Sequence, residues 1–220
     1  VGYNKALVQR NNLFKYFAEN RVWDPEMVDP WDNRLAPLAV KISKARREFI
    51  EKFTPVFNAT YEEISNGVES VSLDFNSRVN VDEEAFLKLL NNSRDDDRRL
   101  RRTTTGIHRD DLVFKIHGHP LKKFGSQGQQ KTYLVALRLA QLTFLEKATG
   151  VKPILLLDDI FDKIDEKRVQ SLMKRVTNGE FGQVFITDTH LGRIPEMFKS
   201  TGAEVNVYEV VEGEVNTLMS

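Results

Sequence analysis

Apolar residues recur at helical spacing through most of the first hundred positions of the chain. Leu7, Phe14 and Phe17 lie on one face of a predicted helix that ends near Asn20. A longer apolar stripe runs from about residue 32 to residue 50, with Lys and Arg between its apolar positions. The first part of the chain is therefore predicted to be mostly helical.

Shorter signals punctuate this helical region. Pro37 lies near the start of the long stripe, where a helix boundary is expected, and Pro55 predicts a kink. Residues 71–75 alternate between apolar and polar side chains, which predicts a strand. Asp82 is followed by further acids, as at a capped helix N-terminus, and a charged tail then extends to Arg102.

The pattern changes in the second half of the chain. Residues 154–157 form a continuous apolar run, which predicts a strand buried on both faces, and residues 184–186 form a second one. Amphipathic helices are expected over residues 132–149 and 166–177. This alternation of strands and helices is typical of a parallel α/β sheet.

We therefore divide the chain into a helical arm domain, residues 1–102, and an α/β lobe, residues 103–220. The last part of the lobe predicts an antiparallel hairpin with strands over residues 205–211 and 214–218. Glu212-Gly213 is its expected two-residue turn.

The amino-acid composition excludes several classes of protein. The 220 residues include 32 basic and 32 acidic side chains, and this balance excludes a uniformly cationic nucleic-acid binder. The chain has no Cys, which excludes disulfide scaffolds and thiolate zinc sites and fits a reducing, cytoplasmic location. No apolar run approaches the roughly 20 residues of a membrane helix.

Basic side chains nevertheless cluster between the two predicted domains, where acids interrupt them. Such a patch predicts contact with nucleic-acid phosphates. The candidate DNA-binding residues are Arg98, Arg99, Arg101, Arg102, Lys122 and Lys123.

Two carboxylates follow the first buried strand of the lobe. Asp158 and Asp159 are expected at the carboxyl edge of the sheet, where ligand sites of α/β proteins lie. Oxygen ligands suit Mg²⁺, so Asp158 is the candidate metal ligand and Asp159 the candidate catalytic residue that orients water. A strand that simply ends in Asp at a turn is the alternative. In ABC-type ATPases a D-loop Asp stands seven positions after the first acid, and Asp165 matches that spacing.

Residues 125–132 have two interpretations. They resemble a Walker A phosphate loop in which Gln130 replaces the last Gly, or an ABC signature loop in which Gln127 replaces the first Gly. The signature interpretation is favoured, because Gln129 precedes Asp158 by 29 positions and a Ser hydroxyl with Gly amides at a helix N-terminus binds anions. A plain helix-capping loop is the third possibility. The candidate nucleotide-binding residues are Ser126, Gln127, Gly128 and Gln129.

Three motifs in a fixed order resemble the RecF family, bacterial recombination mediators of the ABC/SMC-like ATPase class. They are Thr105–Leu112, Ser126–Lys131 and Leu155–Asp159. The chain departs from the family pattern at Ile107, where Pro is usual. The resemblance covers about residues 103–190, and the preceding residues fit the family's arm domain by pattern only.

The resemblance implies an α/β fold: an ABC/SMC-like ATPase head lobe, with a parallel sheet and helices, plus a mostly helical arm. It also implies a slow ATPase with ATP and Mg²⁺ as cofactors and an ATP-dependent homodimer, in which the signature loop closes over nucleotide on the other subunit. The implied role is binding to double-stranded DNA at single-stranded gaps. With RecO and RecR, such proteins promote RecA loading in recombinational repair and the SOS response.

An intact Walker A loop is missing from the sequence, whereas the family carries one near its N-terminus. Because the chain begins at Val1, we expect it to be a C-terminal part of such a protein that does not hydrolyse ATP alone. The alternative is a non-enzymatic interaction module of an SMC-like protein with a structural acid pair. A Toprim-type nuclease lacks its expected upstream Glu motif.

Two histidines have open roles. ABC proteins place a His near the γ-phosphate after the strand that follows Walker B, where this chain has Asp188, with His190 two positions on. Either is a candidate phosphate contact, and a surface His is the alternative. For His108-Arg109 we expect a salt bridge with the following Asp residues or a nucleotide or DNA contact.

Overall fold

The computed structural model describes residues 1–79, 81–189, 198 and 202–219. Within these residues, the α-helices are α1 (Gly2–Asn20), α2 (Asp29–Ser65), α3 (Glu83–Asn92), α4 (Arg94–Leu100), α5 (Leu121–Phe124), α6 (Gln127–Thr149) and α7 (Glu166–Thr177). Short 3-10 helices cover Pro25–Met27 and Ile107–Arg109. In the described part of the chain, no helix combines the length and the apolar character needed to cross a membrane.

The strands form three small sheets in the described residues. They are β1 (Val71–Asn76), β2 (Asp111–Ile116), β3 (His119–Pro120), β4 (Leu155–Asp158), β5 (Val184–Thr187), β6 (Val207–Val211) and β7 (Glu214–Met219). The first sheet has the order β1-β2-β3, with β2 and β3 antiparallel. Strands β4 and β5 pair in parallel, as predicted, and β6 and β7 form the predicted antiparallel hairpin.

The chain separates into two compact units. Unit 1 comprises Val1–Lys52 and Leu73–Val113, and unit 2 comprises Phe53–Ser72 and Phe114–Ser220. These units interleave along the sequence, whereas the predicted arm and lobe meet at a single boundary after residue 102. The separation into a helical first part and an α/β second part at that residue therefore stays a prediction about domains.

Unit 1 is held together by an apolar core between its helices. Its fully buried members come from α1, α2 and α3 and from the segments that flank β1 and the second 3-10 helix: Tyr3, Ala6, Leu35, Ala36, Ala39, Val79, Phe86, Leu90 and Ile107. The predicted N-cap of α3 is confirmed, since the Asp82 carboxylate accepts a hydrogen bond from the Ala85 N–H at 2.8 Å.

Helix α2 continues through both of its interior prolines. The helix predicted from about residue 32 is confirmed and begins at Asp29. Proline inside a helix removes one backbone donor and costs about 3 kcal/mol. Both Pro37 and Pro55 are exposed, while apolar side chains on the other face of the same turns, such as Leu35 and Phe57, are fully buried. Burial of that face offsets the lost hydrogen bonds.

The core of unit 2 contains a group of aromatic rings around Tyr133 of α6. Its ring centroid lies 4.7 Å from that of Phe57, 5.7 Å from that of Tyr61 and 5.5 Å from that of Phe114. The buried Tyr133 hydroxyl donates to the Ser72 carbonyl oxygen at 2.8 Å, so its polar end is satisfied. This cluster fixes α6 against the C-terminal part of α2.

Strand β4 differs from its prediction. Leu155 and Leu157 are buried, but Ile154 is 60% exposed and Leu156 is 71% exposed. The expectation of burial on both faces is therefore wrong. Among the described residues β4 pairs only with β5. Successive side chains of a strand point to opposite faces of the sheet, and here one face is covered while the other is open to solvent.

The hairpin turn has the expected geometry. Glu212 and Gly213 both have positive φ, at 50° and 88°, as a type I′ turn requires. The turn twists in the same sense as the strands, which is why this pair of residues connects β6 to β7 directly.

Candidate functional site

A helix begins directly after the predicted loop. Ser126 caps α6, because its hydroxyl oxygen accepts a hydrogen bond from the Gln129 backbone N–H at 3.2 Å. In return the Gln129 side-chain carbonyl accepts from the Ser126 N–H at 2.8 Å, which completes a capping box. Ser126 is exposed and the cap leaves its hydroxyl proton unused. An anion at this helix N-terminus would therefore meet a donor hydroxyl.

The helical start decides between the interpretations of residues 125–132. A Walker A loop needs a strand before it and an irregular loop that wraps the phosphates. Here the short helix α5 precedes Gly125, and residues from Gln127 onward are already helical, five residues earlier than predicted. The Gln130 side chain donates to the Gly125 carbonyl oxygen at 2.8 Å and so closes the loop on itself. This geometry lacks the preceding strand and the open loop of a Walker A site and is compatible with a signature-type helix N-terminus.

The two acids at the end of β4 are both exposed. Asp158 is paired in register with Thr187 of β5, whose hydroxyl donates to the Asp158 carboxylate. The Asp159 N–H in turn donates to the Thr187 hydroxyl oxygen at 3.4 Å. Asp159 has a φ of 44°, so the chain turns away from the sheet at this residue and its carboxylate leaves the strand direction.

The loop and the acids lie side by side in unit 2. The Lys131 ammonium donates to the Asp159 carbonyl oxygen at 2.9 Å. A Cβ atom added to Gly128 would lie 2.8 Å from the carbonyl oxygen of Lys163, so only Gly permits this backbone approach. The first turn of α6 therefore packs against the segment between Asp159 and Asp165.

Asp165, at the predicted D-loop position, caps α7. Its carboxylate accepts from the Arg168 N–H at 3.1 Å and from the Arg168 guanidinium Nε at 2.8 Å. The carboxylate is 58% exposed, so part of it still faces solvent. In this chain Asp165 therefore has a structural contact of its own, whatever its role towards nucleotide.

The other predicted phosphate contacts are only partly visible. Asp188 follows β5 directly and is half-buried. His190 lies outside the described residues. Within those residues no group of three His, Cys, Asp or Glu side chains is placed to hold a metal ion. The oxygen donors of Asp158 and Thr187 suit Mg²⁺ chemically, but they would leave most of its coordination to water or phosphate.

His108 and Arg109 lie in unit 1, and the expected salt bridge of this pair with the following acids is not formed. Asp110 instead pairs with Arg46 of α2 at 2.9 Å. The His108 ring accepts from the Tyr3 hydroxyl at 3.1 Å and donates to the Thr103 carbonyl oxygen at 3.0 Å. Burial lowers the pKa of His108, so the ring is held in its neutral form.

Two of the three acids of α4 form ion pairs in the described residues, while the third, Asp95, is exposed. Asp97 is buried and pairs with Arg10 at 2.5 Å, while Asp96 pairs with Arg99 at 2.7 Å. In the described residues this leaves three cations on the same surface without a carboxylate partner: Arg98, Arg101 and Arg102. A cleft of about 480 Å³ is lined on this side by four arginines, one acid and two apolar residues: Arg21, Arg98, Arg99, Arg101, Asp95, Phe17 and Ala18.

Lys122 and Lys123, the remaining candidate DNA-binding residues, lie on α5 of unit 2. Both are exposed, and the Lys123 ammonium lies 5.5 Å from the ring centroid of Phe124. An exposed cation beside an aromatic face is suited to a polyanion, but it is equally common on protein surfaces.

The chain is similar along nearly its whole length to curated proteins named DNA replication and repair protein RecF. The relative from Flavobacterium johnsoniae is 46% identical over 210 residues, which are 96% of this chain and 58% of the relative. The relative from Phocaeicola vulgatus is 42% identical over 216 residues, which are 98% of this chain and 57% of the relative. Over the residues that it spans, the chain belongs to the RecF family.

Solved RecF structures agree with this assignment. One of the recombination mediator protein RecF-ATP in the RecFOR pathway matches with a TM-score of 0.77 at 27% identity, over 99% of this chain and 57% of that one. The corresponding RecF-ATPrS structure gives a TM-score of 0.75. These matches confirm the predicted fold class, an α/β ABC/SMC-like ATPase lobe with a helical arm. No protein-family model matches the chain.

The chain spans a little under three fifths of the length of these RecF relatives. This agrees with the prediction that it corresponds to a part of a RecF protein. The roles predicted for individual residues are not tested by the matches, and they are taken up below as proposals.

Three residues of the site were missed in the sequence. Lys131 and Thr187 touch the acid pair, and Glu69 binds the side chain of Gln129 at 2.6 Å. Lys131 lies within the loop segment itself and Thr187 ends the second predicted strand, so both positions carried a signal; that strand is not buried on both faces, since Phe185 is 53% exposed. Glu69 stands 60 positions before its partner, and no spacing rule connects them.

Proposed function

We propose that this chain supplies the signature loop, the metal-binding acid and the D-loop of a RecF-type ATPase that acts on DNA. The observation that carries the proposal is the close approach of the three motifs in unit 2. The first turn of α6 meets the acid pair through Lys131 and meets the following segment through Gly128. A plain capping loop would need neither contact.

Each motif has a distinct part in this proposal. Asp158 is the candidate ligand of Mg²⁺, with Thr187 orienting its carboxylate. Asp159 is the candidate residue that orients the attacking water. Bound Mg²⁺ would neutralise the charge that develops on the transferred phosphoryl group. Asp165 is the candidate D-loop residue. Asp188 or His190, both of which follow β5 in the sequence, is the candidate contact to the phosphate.

The signature loop would act on nucleotide held by a second subunit. Ser126 and Gln127 are exposed, and the Gln127 and Gly128 N–H groups have no acceptor within the helix, whereas the Gln129 N–H is held by the Ser126 cap. Together with Gly128 and Gln129 they form an anion site of the kind found at helix N-termini. ATP between two copies would then hold a homodimer together, and hydrolysis would loosen it.

The DNA contact is proposed for the exposed arginines of unit 1. Arg98, Arg101 and Arg102 keep their charge available because the neighbouring Asp96 and Asp97 are paired with other arginines, and only the exposed Asp95 offsets part of that charge. Contact with phosphates would be independent of sequence and sensitive to salt. Double-stranded DNA at single-stranded gaps, with RecO and RecR as partners in RecA loading during recombinational repair and the SOS response, is the biological setting we propose. That setting is cytoplasmic.

The nucleotide part is tested with Ser126→Arg in the complete protein. A long side chain at the helix N-terminus should block closure over the other subunit's phosphate, so ATP-driven dimerisation should be lost while monomers still bind ATP. Sedimentation velocity with and without ATP, beside a nucleotide titration of monomer, measures both. Gln141→Arg places the same side chain at an exposed position of the same helix and should behave as wild type.

The two possible failures of this test have different meanings. Normal ATP-dependent dimers of Ser126→Arg would show that Ser126 is only a helix cap. That result would favour the alternative function, a non-enzymatic interaction module whose acid pair is structural. Loss of ATP binding by the monomer itself would instead place the nucleotide on this loop in the same subunit.

The DNA part is tested by removing two charges at once. Arg98→Ala with Arg101→Ala should lower the salt dependence of DNA binding by about two phosphate contacts. Lys5→Ala with Lys15→Ala removes the same charge from exposed positions of α1 and should leave the slope unchanged. Equal slopes for the two double variants would place the DNA on another surface.

A further inference from the structure

Glu69, in the connection between α2 and β1, is bound from three sides. One carboxylate oxygen accepts from the Gln129 side-chain amide at 2.6 Å and from the Arg168 guanidinium at 2.8 Å. The other accepts from the Tyr61 hydroxyl at 2.7 Å. The Glu69 side chain is only 6% exposed. We call Tyr61, Glu69, Gln129 and Arg168 the Glu69 cluster.

The hydrogen-bond partners of Glu69 determine the charge state of its carboxyl group. Burial by itself raises the pKa of Glu69, but the hydrogen bonds from Tyr61, Gln129 and Arg168 outweigh it and hold the pKa below its ordinary value. The charged form is therefore the one that the cluster is built around. A buried charge of this kind is stable only while its hydrogen-bond and ion-pair partners stay in place.

The Gln129 side chain is fixed at both of its ends. Its carbonyl oxygen accepts from the Ser126 N–H at 2.8 Å, and its amide nitrogen donates to Glu69. The amide cannot rotate without losing both bonds, since a carboxylate needs a donor and an N–H needs an acceptor. The position of Glu69 therefore determines how Gln129 holds the backbone of Ser126.

Arg168 carries the same connection to Asp165. One guanidinium nitrogen binds Glu69, a second binds the Asp165 carboxylate at 2.8 Å, and the third binds the Thr132 hydroxyl at 3.2 Å. One guanidinium thus joins the start of α7 to α6. Through it, Glu69 is linked to the loop at Ser126 and to the D-loop position.

We propose that Glu69 is a positioning residue, which sets the mutual geometry of the Ser126 loop and Asp165 for a phosphate that it does not itself touch. This inference rests on the function proposed above and names a residue that none of the sequence motifs contains. Without the carboxylate, Gln129 loses its outer anchor and Arg168 loses the charge that aligns it. The loop and Asp165 then adopt several relative positions instead of one.

The chain offers a matched control for Glu69. Glu63 lies in the last turn of α2, shortly before the connection that holds Glu69, and also pairs with an arginine of α7, Arg175, at 2.5 Å. In the described residues Arg175 touches neither Gln129 nor Asp165; its other polar contacts are Thr143 and Glu180. Glu69→Gln and Glu63→Gln therefore each remove one charge from an ion pair with an arginine of α7, but only the Glu69 pair reaches the loop; Glu63 is the more exposed of the two, at 42% against 6%.

The first experiment reads the loop directly in this chain by amide hydrogen exchange. Exchange at Ser126 and Gln129, whose N–H groups are bonded in the capping box, should accelerate by about tenfold or more in Glu69→Gln, the factor expected for one lost charged hydrogen bond. It should stay within about twofold of wild type in Glu63→Gln. Equal exchange in both variants would overturn the inference, because the loop would then be held by its capping box alone.

The second experiment measures ATP-driven dimerisation of the complete protein. Glu69→Gln should weaken dimerisation about tenfold with monomer ATP binding unchanged, whereas Glu63→Gln should not. A merely structural role would lower dimerisation of both variants in proportion to their unfolding midpoints, and that result would also overturn the inference. Tyr61→Phe removes one of the three bonds to Glu69 and should act in the same direction with smaller effect, so a poorly folded Glu69→Gln leaves the question decidable.

Ser126→Arg separates this inference from the proposed function. If Ser126→Arg fails to dimerise while Glu69→Gln and Tyr61→Phe dimerise normally, only the role of Glu69 is refuted. If Ser126→Arg dimerises normally, the proposed function of the loop fails, and the exchange measurement still reports whether Glu69 holds it.

Discussion

Arg10 in unit 1 and the acid pair in unit 2 place charged groups in opposite surroundings. Arg10 is fully buried and binds Asp32 and Asp97, each at 2.5 Å, whereas Asp158 and Asp159 are exposed at the end of a strand. A buried charge is held by compensation and fails when a partner is removed. An exposed charge contributes little to folding and is available to a ligand. We therefore expect the two regions to separate stability from function.

The largest effect is expected for Arg10→Met. It would leave the buried Asp97 without its cation, while Asp32 keeps Arg94, and loss of one partner of a buried pair costs about 3–5 kcal/mol. Urea unfolding of this chain measures the free energy of unfolding. Arg98→Met removes an exposed cation that lies 5.1 Å from the Trp23 ring and should cost about 1 kcal/mol or less. Similar losses in the free energy of unfolding for the two variants would contradict the expected difference between buried and exposed charges.

A smaller effect is expected in unit 2 for Asp165→Ala. It removes the N-cap of α7 and one ion pair to Arg168, so a loss of about 1 kcal/mol is expected. Asp162→Ala changes an exposed acid of the same segment and should be neutral within about 0.5 kcal/mol. If Asp165→Ala also left the free energy of unfolding unchanged, the cap and the ion pair of Asp165 would not stabilise the fold.

Asp159→Asn should change the free energy of unfolding by less than about 0.5 kcal/mol. The residue is exposed, and Asn tolerates its positive φ as well as Asp does. In the complete protein the same substitution should keep ATP binding and slow turnover, because the water-orienting carboxylate is gone. Unchanged hydrolysis would show that another residue orients the water.

Local features of the fold were predictable where the sequence itself contains both partners. Glu212-Gly213 occupies a turn that demands positive φ, as predicted. Ser126 and Gln129 stand three positions apart and form a capping box, a local signal that the prediction of a helix from residue 132 left unused. The two acids after an apolar run also lie where a strand end puts them. In each case the deciding contact is short in sequence.

The features that were missed depend on distant partners. The exposure of Leu156 cannot be predicted from the sequence of β4, because it depends on which other segments cover that face of the sheet. Glu69 is defined only by Gln129 and Arg168, which lie 60 and 99 positions away. Arg10 did carry a signal, since it interrupts the buried stripe of α1 between Ala6 and Phe14. A cation on an apolar stripe predicts a buried ion pair.

The smallest expected effect concerns His108, whose neutral ring accepts from Tyr3. Burial lowers its pKa below the ordinary value of 6.5, while burial raises the pKa of Tyr3 to about 12, so that hydroxyl stays a donor. As the pH falls through the ordinary value, the unfolded chain takes up a proton that the folded chain resists. Stability is therefore fully present above about pH 6.5 and declines below it.

The decline is measured by urea unfolding between about pH 7.5 and about pH 5.5, for wild type and for His108→Gln. Other titrating groups affect both proteins alike, so the difference between the two curves isolates His108. Wild type should lose more stability on acidification than the variant does. Parallel curves would mean that the ring is protonated as easily in the fold as outside it. A steeper decline in the variant would mean that the folded protein favours the imidazolium, with Tyr3 accepting instead of donating.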